Sequence, residues 1–164
     1  MDFYPWIVLI HVVAILIFIL GHGVSSFVMF RVRAEPDRAR LAALLDLSAS
    51  SLVIAGIALL VSLVAGIVAG IMGGWWGQLW IWASLVLLIA VGGLMTPMAG
   101  IPMNQVREAL GLRGSMAKKD APAPEPKSDD ELAAAQAALR PELVAVLGVG
   151  AIVVITWLME AKPF

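Results

Sequence analysis

His11 and His22 are the chain's 2 histidines, and both stand inside one apolar run, `HVVAILIFILGHG`. Imidazole can ligate a metal, carry a proton or make a hydrogen bond, so three chemistries are open. On an α-helix the two rings return to nearly the same face, about 16 Å apart along the axis. That separation is too large for both to hold one metal ion. It suits two separate sites, or two haems stacked at different depths, each needing a further ligand. Thioether sulfur is acceptable to haem iron and to copper. Met72 and Met159 fall toward one end of the apolar runs, Met29 and Met95 toward the other. Haem b or copper held by His11 or His22, with Met72 and Met159 as candidate metal ligands, is therefore one expectation. The favoured alternative is that each histidine bonds across a helix contact, an interaction of about 0.6–2 kcal/mol within a membrane. A proton or substrate relay is the third.

Acid–base chemistry needs a second titratable group nearby, and the sequence offers little. Asp46 is the deepest carboxylate, just inside the start of an apolar run. Its expected role is local: pairing with Arg38 or Arg40, or an anion near a helix N-terminus. There are no cysteines, which removes disulfides and thiolate chemistry. No phosphate-binding glycine loop, `HExxH` or G-x-S-x-G pattern occurs. No catalytic residue is expected.

The elements that position these residues follow from hydropathy. Of 164 residues 61% are hydrophobic and 14% charged, where soluble domains carry about 25% charged. Mean hydropathy is +0.95. A helix needs about 20 apolar residues to cross a bilayer. Runs at about 6–30, 44–72, 79–98 and 141–159 meet or approach that length. The expected fold is all-α: a polytopic membrane protein, built as a four-helix transmembrane bundle. `TPMAGIP` is expected to end the third span. The connection 99–140 is expected to hold a short amphipathic helix from Pro102, a Pro-rich linker (`KKDAPAPEPKSDD`), and an Ala-rich helix opened by the capping pair Ser128 and Glu131.

Basic residues favour the cytoplasmic side. Arg31, Arg33, Arg38 and Arg40 flank the first turn, and Arg107, Arg113, Lys118, Lys119, Lys127 and Arg140 lie in the long connection. Both termini are therefore expected outside, in a multi-pass protein of the cell inner (cytoplasmic) membrane. The 6 tryptophans all fall toward the outer ends, the depth such rings prefer. Formal net charge is −1, and no nucleic-acid partner is expected.

The second span carries small residues at helical spacing: Ser48, Ser51, Ala55, Ala58, Ser62, Ala65 and Ala69, with Gly66 and Gly70 beside them. Where lipid removes the usual hydrophobic force, close backbone approach drives association. Ser48, Ser51, Ala55, Ser62, Gly66 and Gly70 are the expected helix-packing residues.

`HVVAILIFILGHG` with its arginine-bounded loop resembles small predicted four-helix integral-membrane proteins of unknown function. It is also distantly similar to the membrane domains of copper-resistance D proteins. That resemblance implies a role for His11 or His22 beside Gly21 and Gly23. The lack of histidine in the other spans departs from a bis-histidine haem bundle.

The expected function is a non-catalytic integral membrane protein, an accessory or self-associating subunit of a larger membrane complex. A haem- or copper-binding protein using His11 or His22 is the alternative. A small transporter or channel is the third reading, and it lacks the broken half-helices in matching positions that would favour it.

Overall fold

The computed structural model describes residues 2–164 apart from Met116, Lys119 and Ala121. Lys119, one of the basic residues used for orientation, and Ala121 of the Pro-rich linker thus lie outside the described residues.

Helix α1 (Tyr4–Ala34) carries Pro5 in its first turn, which its fixed φ suits, with Asp2 accepting from the Tyr4 N–H at 3.0 Å. Arg31 and Arg33 sit in its last turn, where cations favour the helix dipole. Pro36 follows, and Gln136 donates to the Val32 and Glu35 carbonyls at 2.6 and 2.8 Å, pairing acceptors the helix end leaves free. Helix α2 (Arg38–Met72) is capped by Asp37, which accepts from the Arg40 N–H at 2.8 Å. It starts six residues before the expected span, because this cap, and not the hydropathy, sets the beginning. Gly74, with φ of 70°, turns the chain through the 3₁₀ turn Trp75–Gly77 into α3 (Leu79–Met95).

`TPMAGIP` does not end the third span. The chain passes through a π-helical turn, Thr96–Gly100, in which the Ile101 N–H reaches back to the Thr96 carbonyl, and continues as α4 (Ile101–Ala109). Pro97 has no N–H, and the wider turn takes up the mismatch without leaving the helix. Helix α5 (Asp129–Ala137) carries the reciprocal capping box of Ser128 and Glu131. Hydrogen bonds from Ser128 hold the Glu131 carboxyl below its ordinary value. The cap is therefore intact above that lowered value and is lost as pH falls through it. Ser128→Ala should raise the Glu131 titration toward the usual carboxylate range, the backbone N–H at 128 keeping part of the lowering, measurable by carbon NMR of labelled glutamate. Helix α6 (Pro141–Ala161) completes the chain.

The four stretches Tyr4–Ala34, Arg38–Met72, Leu79–Ala109 and Asp129–Ala161 are each long and apolar enough to cross a membrane. They pack as two pairs. α1 and α2 run antiparallel in contact along their length, α3 pairs with α6, and the two pairs meet mainly through α1 and α6. Apolar side chains are buried in quantity only at the ends. At the end carrying α4 and α5, Val28, Val32, Leu41, Val106, Leu132 and Leu139 close a core. At the tryptophan end, Trp80, Ile81 and Leu158 pack with Trp75, Trp76 and Met159. Between them large side chains face outward: Leu20 is 71% and Ile89 73% exposed. A soluble monomer rarely shows such contiguous apolar surface; lipid is the solvent these faces fit. The described residues contain helices and turns and no strand.

The tryptophan end is latched by the C-terminus. Lys162 ends α6 at a φ of 44° and sets its ammonium 4.4 Å from the Trp75 ring centroid and 5.9 Å from that of Trp80. Trp75 in turn donates to the Tyr4 hydroxyl at 3.2 Å. Lys162→Ala should loosen this end by about 0.5–2 kcal/mol, read as a lower unfolding midpoint by tryptophan fluorescence in detergent. Lys162→Arg should keep the midpoint.

Candidate functional site

The two histidines meet different partners. His11 Nδ1 lies 2.8 Å from the Ser62 carbonyl and 3.0 Å from Ser62 Oγ. A carbonyl only accepts, so Nδ1 carries a proton, and in the neutral ring Nε2 keeps its lone pair. Ser62 Oγ donates back to the His11 carbonyl at 3.4 Å. The Cε1–Nδ1 side of the ring lies against Gly66, where an added Cβ would stand 3.0 Å from both atoms. Gly66 is thus the notch that admits the ring.

His22 stacks on Phe18, centroids 5.5 Å apart and planes at 17°. It sits over Gly148 of α6, where a Cβ would come 3.1 Å from Nε2 and 3.6 Å from Met95 Cε. Among the described residues it makes no hydrogen bond. It lines a cleft of about 250 Å³ between α1, α2, the π turn and α4, together with Ser26, Thr96, Asn104 and Arg107. Next to it Ser25 and Ser48 share a hydrogen bond of 2.7 Å across α1 and α2.

Asp46 pairs with neither Arg38 nor Arg40. Its Oδ1 accepts from Arg107 Nη2 at 2.6 Å. Arg38 instead binds Asp129 at 2.7 Å and the Lys127 carbonyl at 2.8 Å. The expectation looked along the same helix; the π turn swings α4 over the start of α2 and supplies a cation from the third span. Arg107 is gripped twice, since its Nε also donates to the Arg113 carbonyl at 2.6 Å. Its Nη1 is buried and has no partner among the described residues.

Of the small residues on α2, Ser48, Ser51, Ala55, Ala58, Ser62, Ala65 and Gly70 are buried. Most of them meet α1, which comes close at Gly21: a Cβ there would lie 2.8 Å from the Ser51 carbonyl and 3.1 Å from Ala55 Cβ. Gly70 faces the Trp76 indole at 3.3 Å on the same measure. Met159 packs at the tryptophan end, while Met72 is 47% exposed. Among the described residues, no group of three or more His, Asp or Glu side chains comes together that could hold a metal ion. Sequence reasoning missed Arg107 and Gly148 as neighbours of this region, and named Gly21 only through the resemblance. Gly148 carries no local signal, because its partner His22 lies on another span.

Geometry and hydropathy together define a small four-span membrane protein in which His11 with Ser62 and Ser25 with Ser48 join two helices, while Ser50, Ser51 and Ser84 bond to carbonyls of their own helix. Over residues 5–163 the chain matches the family model described as predicted integral membrane protein (DUF2269), and it belongs to that family. No curated protein and no solved structure matches it. The likeness to copper-resistance D membrane domains gains no support from these comparisons.

Proposed function

We propose that the protein is a non-catalytic accessory or self-associating subunit of a membrane complex. The observation that carries this reading is the bare face of α3. Only Trp80, Ile81 and Ser84 of that helix are buried. Trp82, Val86, Ile89 and Gly93 form one uncovered stripe, and a Cβ added at Gly92 or Gly93 would meet nothing within 4 Å. A glycine notch on the face of α3 turned away from α6 would let a second helix approach closely. The deep polar side chains fit the same reading: His11 with Ser62 and Ser25 with Ser48 tie helices together.

In this reading both termini face outward, and the arginine-rich end, carrying α4 and α5, faces the cytoplasm, with the protein in the cell inner (cytoplasmic) membrane. The cysteine-free chain makes that testable without background: a cysteine at Gln78 should react with an impermeant maleimide added outside, and one at Ala34 should not.

The functional test is purification in mild detergent without added ligand, followed by intact mass, absorption spectrum and metal content. The expected result is an assembly heavier than one chain, with no Soret band and no bound copper. Gly93→Leu should return it to one chain. A monodisperse single chain would overturn the subunit reading. A Soret band or stoichiometric copper lost in His22→Ala would put the haem or copper reading in its place.

A further inference from the structure

The cleft beside His22 holds polar groups that helix packing leaves unused. His22 and Ser26 stand one turn apart on α1 and both line it, and Thr96 lines it from the π turn. None of these three side chains makes a hydrogen bond among the described residues. His22 and Ser26 are half-buried, and their polar atoms keep open surface. Arg107, the charged residue of the lining, offers the cleft nothing. Its Nη1 is sealed off, and its Nε and Nη2 are bonded to the Arg113 carbonyl and to Asp46. The other walls are mostly apolar, with Met29, Met95 and Met103 supplying thioethers. Leu52, which also lines the cleft, is 46% exposed. Helix α2 packs on α1 along its length but on the third span chiefly through α4, so the cleft opens sideways toward lipid.

We propose that this cleft binds the ring of an isoprenoid quinone, with one carbonyl oxygen on the His22 imidazole, the other on the Ser26 hydroxyl, and the tail in the bilayer. Several observations select that occupant. The polar groups on offer are uncharged donors, so the ligand is neutral and brings acceptors. At this depth lipid supplies no water to pair them, and leaving them unpaired is costly. One helical turn is about 5.4 Å, similar to the separation of the two carbonyl oxygens across a quinone ring. The cleft holds about 250 Å³, less than the roughly 300–1,000 Å³ that encloses a drug-sized ligand. It therefore takes one small head and leaves a long tail outside. Thioether sulfur packs favourably on aromatic rings, and the His22 ring is already steadied by its stack on Phe18. A flat ring uses those walls better than the flexible glycerol of an ester lipid. The oxidised ring is the form that this donor pair fits, because both of its oxygens accept.

The test uses the full chain, labelled with nitrogen-15 histidine, in phosphatidylcholine nanodiscs titrated with ubiquinone carrying a two-isoprenoid tail. The ring-nitrogen signals of His22 should shift to a plateau at equimolar quinone. Those of His11, bonded to Ser62, should stay fixed. Partition of the quinone between loaded and empty nanodiscs gives the affinity of each variant. Ser26→Ala removes one neutral hydrogen bond and should weaken binding about fivefold. His22→Phe keeps a ring beside Phe18, removes both nitrogens and should weaken it about tenfold. Ala99→Leu, which fills the cleft, should abolish binding while circular dichroism stays helical. Geranylbenzene, the same tail on a ring without oxygens, is the control that needs no variant and should not compete. A titration without a plateau, equal shifts of His11, or equally tight binding of geranylbenzene would each overturn the proposal. So would undiminished binding by Ala99→Leu, or by both His22→Phe and Ser26→Ala. Tighter binding of dioleoylglycerol than of the quinone would overturn it too, and would assign the cleft to a glycerolipid. None of these outcomes depends on whether the protein assembles with other chains.

Discussion

Gly21→Ala destabilises the protein by about 1–3 kcal/mol, and Gly21→Leu separates α1 from α2. The reason is what stands opposite. A Cβ at this position would lie 2.8 Å from the Ser51 carbonyl oxygen, which is backbone in the middle of a long helix and has no rotamer by which to retreat. Relief requires α1 to move away from α2, and movement there stretches the Ser25–Ser48 and His11–Ser62 contacts on either side. Gly23→Ala, two residues on, is the control, since an added methyl group there meets nothing within 4 Å. It should be neutral or stabilising, alanine being the better helix former by about 0.5–1 kcal/mol. The pair is compared by unfolding in bicelles with increasing sodium dodecyl sulfate. Equal effects of the two substitutions would show that Gly21 is not a point of close approach.

The second large effect is expected at Gly66. Its missing side chain makes room for the His11 ring, whose Cε1 and Nδ1 would lie 3.0 Å from a Cβ. Gly66→Leu drives the imidazole out, at a cost of about 1–3 kcal/mol for the overpacking, together with the bonds to Ser62. In the double variant His11→Ala, Gly66→Leu, the new leucine enters the space the ring has left. Most of the loss should return, leaving a deficit of about 0.6–2 kcal/mol for the interhelical bonds. A double variant no better than Gly66→Leu alone would mean that the ring does not occupy this notch.

Much of the fold is legible in the sequence, because a bilayer asks for long apolar runs and hydropathy reports them. The stripe of small residues on α2 is also written in one helical period, and Ser48, Ser51, Ala55 and Ser62 are buried against α1. What the sequence hides is which helix faces which. Asp46 finds its cation on α4, a contact that spans 61 positions. No local spacing rule reaches that far. The segment `TPMAGIP` reads as a stop, since proline breaks helices in water. Here a π turn carries the helix on, because leaving it within lipid would strand more backbone groups than the turn does. Likewise the histidines show their depth in the sequence but not their partners: the ring of His22 is framed by Gly148, which looks like any other glycine of an apolar span.

The account rests on deep polar groups acting between helices, and His11 states that most sharply. Nitrogen-15 NMR of histidine-labelled protein in bicelles reads the protonation of each ring nitrogen. Hydrogen bonding to the Ser62 carbonyl predicts Nδ1 protonated and, in the neutral ring, Nε2 bare for His11, with Gly21→Leu disturbing that pattern and removal of metal ions leaving it untouched. A proton on Nε2 with Nδ1 bare, or an Nε2 signal shifted by a bound metal, would contradict it.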